Sequence, residues 1–483
     1  MSRAPLQQPS PESADSLAIA RLSLWGRVHA LASASWLDQA SVESRHRSQF
    51  AHRLGRFGHP IHAGLAMFWC AGVVGPIGSV EIAGVLVLGC FLARLPFVRR
   101  GVRDALAQPA TILLLLWAAW VWVLAWREGF SAAAVHEASY QRWGPALVLL
   151  WAVMDRRRAL IVAICVGFAL AQGAQLLEFV GHAMGVPALV WSHPPAPDPS
   201  ARISGWWHQP AVGGTMLVAC LGLHLGPAFL GAGRTRVLAA IACGATMLAL
   251  LATGTRGAWL AGGALACGVA GAWVVLHARE RGSWRGVALA LAGVAIALGA
   301  VLALDGPRAR AASLATEARA AWVQGDLDSD VGGRVLAARA ALDAVGKNPL
   351  VGIGPGGFNA HARAYAQREG VSVAPFRLEH LKTAHNTLLH VGATQGVIGV
   401  LLLFGAIACA LFAGLRPCCG VGAATLREHL GSYAGAPGVA LLGLVFAGAF
   451  DTTTLNASTA ALSTILIALC PVVRPRDHEP ERS

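Results

Sequence analysis

His-Leu-Lys-Thr-Ala-His-Asn-Thr-Leu-Leu-His (380–390) is where a long polar stretch gives way to an apolar run. The stretch opens at Asp305 and is the longest break between apolar runs, about 85 residues with eighteen charged side chains. The only two lysines of the protein, Lys347 and Lys382, lie inside it. On either side the chain is apolar. It is 55% hydrophobic and 13% charged, with mean hydropathy +0.55, where a soluble protein carries about 25% charged residues. Several blocks reach about 18 residues or more, the length of a membrane-crossing helix. The expected fold is an all-α polytopic membrane protein, with any chemistry placed in or beside the polar stretch.

Twelve apolar runs are legible: 61–75, 78–93, 110–126, 143–154, 159–180, 211–230, 237–254, 257–276, 286–304, 386–414, 434–450 and 455–472. The first and fourth are short for a span of about 20 residues. With the N-terminus inside, the inward connections carry Arg94, Arg99, Arg100 and Arg103, then Arg156 to Arg158, Arg234 and Arg236, Arg279, Arg281 and Arg285, and Arg416 and Arg427. The short outward connections carry only Arg127, Arg142, Arg202 and Arg256. That alternation obeys the positive-inside rule. It predicts about twelve transmembrane helices and one large, partly helical periplasmic loop. The expected organisation is a cytoplasmic tail (1–60), helices one to nine (61–304), the periplasmic loop (305–384), helices ten to twelve (385–472) and a cytoplasmic C-terminal tail (473–483).

In a soluble protein the net charge of +13 would suggest nucleic acid. Here arginines flanking membrane helices fix orientation and meet anionic lipid, so no nucleic-acid partner is expected. Eight of the ten cysteines fall inside apolar runs and Cys418 and Cys419 in a short loop. They read as small hydrophobes, with neither a disulfide framework nor a zinc site. No cleavable signal peptide is expected, the first apolar run serving as the insertion signal. Within the tail, Leu17–Leu37 reads either as an amphipathic surface helix or as loosely ordered chain. Residues 181–210 form a proline-rich outer segment ending in Gly-Trp-Trp-His-Gln-Pro (205–210). Inside the loop, helical pieces are expected over 311–323, 330–345 and 359–367, with a break at Asn348-Pro349 and a glycine-rich turn at 351–358.

Arg256 sits in the outer turn Thr-Gly-Thr-Arg-Gly-Ala-Trp (253–259), at a predicted helix N-terminus. A guanidinium at that boundary either snorkels outward or meets an anion. Free helix N–H groups there already favour negative charge, which suits a phosphate or diphosphate. Arg334 and Arg339 are five residues apart on one predicted helix, so only one of them faces the membrane site. Arg142, at the outer end of helix four, reads as a flank or a weaker anion ligand. His385 stands at the water boundary before helix ten. An imidazole titrates near neutral pH and suits a general base, although the same position suits a simple cap. His385 and His390 lie about 140° apart around a helix, so they form no i,i+4 metal pair. Asp326, Asp328 and Asp330 read as a solvated acidic turn, and no metal or other cofactor is expected.

Three stretches together resemble a known family. They are Thr-Arg-Gly-Ala-Trp (255–259), Gly-Arg-Val-Leu through Asn-Pro-Leu-Val-Gly-Ile-Gly-Pro-Gly-Gly-Phe (333–358), and Ala-His-Asn-Thr-Leu-Leu-His-Val-Gly-Ala-Thr-Gln-Gly-Val-Ile-Gly (384–399). The combination resembles the O-antigen ligase superfamily, which includes O-antigen ligases, O-antigen polymerases and bacterial O-linked protein glycosyltransferases. The resemblance covers about residues 245–405. It implies metal-independent, inverting transfer of a glycan from undecaprenyl diphosphate to an acceptor hydroxyl at the outer face of a Gram-negative inner membrane. By motif, His385 takes the base role and Arg256 and Arg334 bind the diphosphate. Lys382, Arg142, Asn386 and His208 are lesser candidates for donor or acceptor binding. Trp-Trp-His-Gln-Pro (206–210) departs from the His-Pro-Asn-type segment expected there, which weakens His208.

Within that group the expected activity is ligation of O-antigen onto lipid A–core, with polymerisation as the alternative. Only Pro471–Ser483 follow the last run, which weighs against a protein glycosyltransferase. A transporter is the alternative of another class, but transporters place ionisable residues at mid-membrane. Here the apolar runs are nearly charge-free, Glu178 being the main exception.

Overall fold

The computed structural model describes residues 49–186, 202–207, 209–281, 305–415 and 423–470. Their helices are α1 (Gln49–Gly72), α2 (Ile77–Ala93), α3 (Arg99–Leu106), α4 (Pro109–Arg127), α5 (Ala132–Ser139), α6 (Ala146–Trp151), α7 (Arg157–Met184), α8 (Pro210–Leu230), α9 (Gly233–Ala252) and α10 (Arg256–Arg281). The polar stretch supplies α11 (Asp305–Arg319), α12 (Asp330–Lys347), α13 (Phe358–Arg368) and α14 (Pro375–His380). The chain then continues through α15 (Thr387–Leu415), α16 (Ala423–Gly431), α17 (Ala436–Gly448) and α18 (Ala457–Leu469). The apolar run 286–304, the tail around Leu17–Leu37, His208, Cys418 and Cys419 lie outside the described residues.

Six of these helices are long and apolar enough to cross a membrane: α4, α7, α8, α9, α10 and α15. Three more, α2, α17 and α18, are apolar but shorter. Their outer faces carry large exposed apolar side chains, among them Ile82, Val166, Leu170, Leu238 and Leu401. In water that would be a liability; against lipid tails it is the favourable arrangement. The fourth apolar run is not one helix. It is broken into the 3-10 turn Tyr140–Trp143, the single-turn-scale α6, and a second 3-10 turn Met154–Arg156.

Prolines start α4 and α8, where the missing N–H costs nothing. Helix α8 is the hub, buried along most of its length and packed on α9, α10 and α17. Small residues bring these backbones close. A Cβ on Gly222 would fall 2.6 Å from Ala440 Cα of α17, and one on Gly214 would fall 2.8 Å from Ala258 Cβ of α10. With no hydrophobic drive between helices in lipid, such close contact supplies the packing. All eight cysteines among the described residues are free thiols.

The polar stretch packs as a helical cap. Leu336, Ala337, Ala340, Ala341 and Ala344 of α12 face Phe358, Ala362 and Ala366 of α13, and the same buried cluster takes in Ala393 of α15. The cap therefore shares its core with a bundle helix. Helix α12 starts where Ser329 Oγ accepts the Gly332 N–H and ends at Asn348, before Pro349.

The candidate active site at one end of the bundle

The cap is locked to the bundle by a broken helix. Within α15, Gly396 has φ 69° and ψ −171°, so the helix opens there. The turn 348–354 fills the gap from both sides of the break. Val397 N–H donates to Pro349 O (2.8 Å), while Ile353 N–H and Gly354 N–H donate to Ala393 O (2.9 Å) and Thr394 O (3.0 Å). Gly352, Gly354 and Gly356 all have positive φ, and a Cβ on Gly352 would lie 2.4 Å from Thr394 C. The Asn-Pro-Leu-Val-Gly-Ile-Gly stretch is thus a plug shaped to a helix break. Trp117 and Trp120 of α4 clamp the same point through Gln395 Oε1 (2.7 Å) and Gln395 O (3.1 Å).

That lock sets the start of α15. Asn386, not His385, caps the helix, its Oδ1 accepting Leu389 N–H at 2.9 Å. His385 is one of two non-glycine residues with positive φ (50°) among the described residues. Such a conformation costs of order 1 kcal/mol or more and persists where its surroundings impose it. Asn386 Nδ2 donates to Ala449 O (3.0 Å), and Thr387 Oγ1 donates to Asp451 O (3.1 Å). His385 Nδ1 consequently stands 3.9 Å from Asp451 Oδ1, beyond hydrogen-bond length, with each side chain 35% exposed. Burial alone would raise the Asp451 carboxyl. The His385 ring, the Thr452 N–H (2.8 Å) and the Arg334 guanidinium outweigh it and hold that carboxyl below the ordinary carboxylate range. A carboxylate on Nδ1 leaves Nε2 of an imidazole free to accept a proton.

One arginine reaches the same turn and a second opens a helix packed on it. Arg334, exposed on α12, donates to the Phe450 carbonyl. Arg256 opens α10, and a Cβ on the neighbouring Gly257 would lie 2.6 Å from Phe450 Cβ. The Arg256 guanidinium reaches Glu317 Oε1 (3.2 Å) and Ser313 Oγ (2.7 Å) on α11. Glu317 Oε2 also accepts Val331 N–H at the start of α12 (3.4 Å). Arg334 and His385 therefore meet at Phe450–Asp451, and the helix that Arg256 opens packs against the same turn. Residues 238–404 match the O-antigen ligase family.

That match supports the O-antigen ligase superfamily. No curated protein matches the chain. The family implies a glycosyltransferase-like enzyme that handles lipid-linked glycans. Arg256, Arg334 and His385 all lie within the matched residues 238–404, whereas Asp451 is supplied from beyond them. Sequence reasoning passed over Asp451, although a lone carboxylate between two apolar runs was a usable signal. It also passed over Glu137 on α5. This buried carboxylate accepts Gly356 N–H (2.7 Å) and stands 3.3 Å from Nε2 of the fully buried His390, whose Nδ1 accepts Ala384 N–H (3.4 Å).

The remaining candidates are placed as follows. Lys382 is exposed, without a side-chain partner among the described residues. Arg142 donates to Glu81 and to Ser139 O (2.6 Å) and stacks on Trp143, so its charge is already answered within the bundle. Arg339 is exposed and, unlike Arg334, reaches no partner among the described residues. The Asp328 and Asp330 carboxylates pair with Arg377 at 3.1 and 3.2 Å, so the acidic turn is ion-paired rather than simply solvated. Glu178, the exception weighed for transport, accepts the Ser204 (3.1 Å) and Gly205 backbone N–H groups and so anchors the segment before α8.

Proposed function

We propose that the protein transfers a glycan from a polyprenyl-diphosphate donor to a sugar hydroxyl of lipid A–core at the periplasmic face of the inner membrane. The observation that carries this reading is the meeting of Arg334, His385 and Asp451 around one turn, against which the helix opened by Arg256 packs. His385 Nε2 takes the proton of the attacking hydroxyl while Asp451 steadies the resulting imidazolium. Arg256 and Arg334 meet the charge that develops on the departing diphosphate. That leaving group is already a good one, so a base and oriented positive charge are sufficient chemistry. Attack on the face opposite the diphosphate inverts the anomeric carbon, and the two arginines do the neutralising work a metal would do elsewhere. Arg157, bonded to Leu469 O (2.8 Å) and Ala434 O (2.7 Å), stands at the opposite ends of α17 and α18 from the turn, which supports a periplasmic site by the positive-inside rule.

The test supplies purified protein with a lipid-linked glycan and lipid A–core and reads the product by mass spectrometry. Glycan joined to lipid A–core is the expected product. A lengthened lipid-linked glycan would instead make the enzyme a polymerase. His385→Ala is expected to express normally and lose transfer, and full activity in that variant removes the base from the mechanism.

A further inference from the structure

We infer that the turn plugging the α15 break is also the membrane foot of the cap, with Leu350 seated among phospholipid acyl chains at the edge of the bilayer. This surface is separate from the reaction centre and holds whichever glycan is transferred. The cap reaches the break along α12. Arg334, near the start of that helix, meets the Phe450 carbonyl. Val345, near its end, lies against α15, where a Cβ on Gly392 would fall 3.4 Å from Val345 Cγ2. The Leu350 carbonyl then fills the space that a Cβ on Gly396 would need. Helix α12 thus descends along α15, and the turn after it carries the cap to the break.

Two helices act as rulers for the depth of that point. Helix α15 ends at Leu415, one residue before Arg416 in the sequence. From Arg416 back to Gly396 is about 20 residues, which at about 1.5 Å each span about 30 Å, the thickness of the hydrocarbon layer. Helix α4 is 19 residues long and ends in Arg127. The Arg127 guanidinium donates to Gly352 O through Nη2 (3.1 Å). The first charge above an apolar helix therefore meets the same turn that the count along α15 reaches. Both rulers put the turn at the boundary between hydrocarbon and headgroups.

The surface of the turn agrees with that depth. Leu350 is 62% exposed, and Val397 and Leu401 of α15, just across the break and one turn beyond it, are 42% and 66% exposed. The turn so extends the lipid-facing surface of a membrane helix onto the cap, and that continuity names the occupant as acyl chain. The backbone is suited to it as well. Irregular chain at membrane depth persists only where its polar groups are answered by protein. Asn348 O accepts Gly352 N–H (2.9 Å), Pro349 O accepts Val397 N–H (2.8 Å) and Leu350 O accepts Ile398 N–H (3.4 Å), while Gly352 O takes Arg127. Pro349 has no N–H to leave bare.

The test places the full-length protein in nanodiscs of phosphatidylethanolamine and phosphatidylglycerol, doped with a phospholipid carrying a diazirine in its acyl chain near the ester. After photolysis and trypsin digestion, mass spectrometry maps the adducts. Label is expected on residues 349–351, within the peptide 348–363, and on Leu401, but not on Gln367, which is exposed on α13. Label on Leu401 with residues 348–351 bare overturns the proposal. So does a benzophenone amino acid in place of Leu350 that cross-links a second copy of the chain instead of lipid. Two variants separate a lipid edge from a turn in water. A lysine can snorkel to the headgroups on its long stem and an aspartate cannot. Leu350→Asp is therefore expected to lower the melting midpoint in nanodiscs, and Leu350→Lys to leave it near the wild-type value. Equal midpoints in the two variants contradict the assignment.

Discussion

Gly396→Ala should uncouple the cap from the bundle. At φ 69° and ψ −171° the residue occupies a region open essentially to glycine alone, where an alanine costs about 1–3 kcal/mol. Space is the second obstacle. The new Cβ would lie 2.1 Å from Leu350 O and 2.2 Å from Leu350 C, so the turn must withdraw by more than 1 Å to reach ordinary contact distance near 3.5 Å. Withdrawal strains or breaks the Val397 N–H to Pro349 O (2.8 Å) and Ile398 N–H to Leu350 O (3.4 Å) bonds, each worth about 0.5–1.5 kcal/mol. Together these make about 4 kcal/mol against docking, roughly a thousandfold rise in the undocked fraction. Limited trypsin digestion in detergent reads that opening directly, because Lys347 and Arg363 flank the turn. Intrinsic tryptophan fluorescence on heating gives the companion melting curve. Gly405→Ala on the same helix is the control, since its Cβ would meet only Leu113 Cδ1 at 3.4 Å. Cleavage and melting in Gly396→Ala that match the control and the wild type would refute the plug-and-break account.

Three further outcomes are expected. Asp451→Asn should lower turnover by about a hundredfold with little change in donor KM, measured by initial rates of transfer. Because the Asp451 carboxyl is held below the ordinary range, it is ionised throughout the neutral range. The same depressed carboxyl stabilises the fold above its unfolded-state value, and that contribution is lost as pH falls through its folded value, in the acid range. Glu317→Gln should lower the donor KM several-fold, since the diphosphate must otherwise displace Glu317 from Arg256; a raised KM would make Glu317 a positioning group instead. EDTA should leave transfer unchanged, and activity lost on chelation and restored by a divalent cation would bring a metal into the mechanism.

The parts of the fold legible in the sequence are those that local chemistry decides. Apolar runs bounded by arginines became α4, α7, α8, α9, α10 and α15. Within the polar stretch, the helix expected over 330–345 runs from Asp330 to Lys347, and that over 359–367 runs from Phe358 to Arg368. Those limits follow from Ser329 as a cap and from Asn348-Pro349 as a stop. The turn at 351–358 was also evident from its glycines, but its destination was not. Gly396 sits in Thr-Gln-Gly-Val-Ile, indistinguishable by composition from a packing glycine in any membrane helix. Arg256 was legible because an arginine at an apolar boundary is conspicuous. Glu137 was not, and Asp451 showed only as a lone carboxylate between two apolar runs, because each matters through a partner far along the chain: Gly356 and His390 in one case, His385 in the other. No periodicity carries that information.

These long-range partners explain why the site is built from so many separated segments. His385 needs a left-handed backbone, and its own side chain offers nothing to enforce one. Three supports do so instead. Thr383 Oγ1 accepts the His385 N–H (3.3 Å), His390 Nδ1 accepts the Ala384 N–H (3.4 Å), and Asn386 binds Ala449 O (3.0 Å). With Nδ1 of His390 accepting, its Nε2 carries the proton and faces Glu137. The Glu137 carboxylate spends its second oxygen on Gly356, in the same glycine-rich turn that plugs the α15 break. Loss of the plug would therefore free Glu137, release His390 and let the His385 backbone relax from its strained conformation. The cap and the proposed base are in this way a single mechanical unit, although about 55 residues of cap precede the base from the Asp330 start of α12 onward. Glu137→Gln distinguishes this coupling from ordinary packing. It keeps shape and the Gly356 bond but weakens the hold on His390, so it should reduce turnover while leaving the melting curve nearly in place.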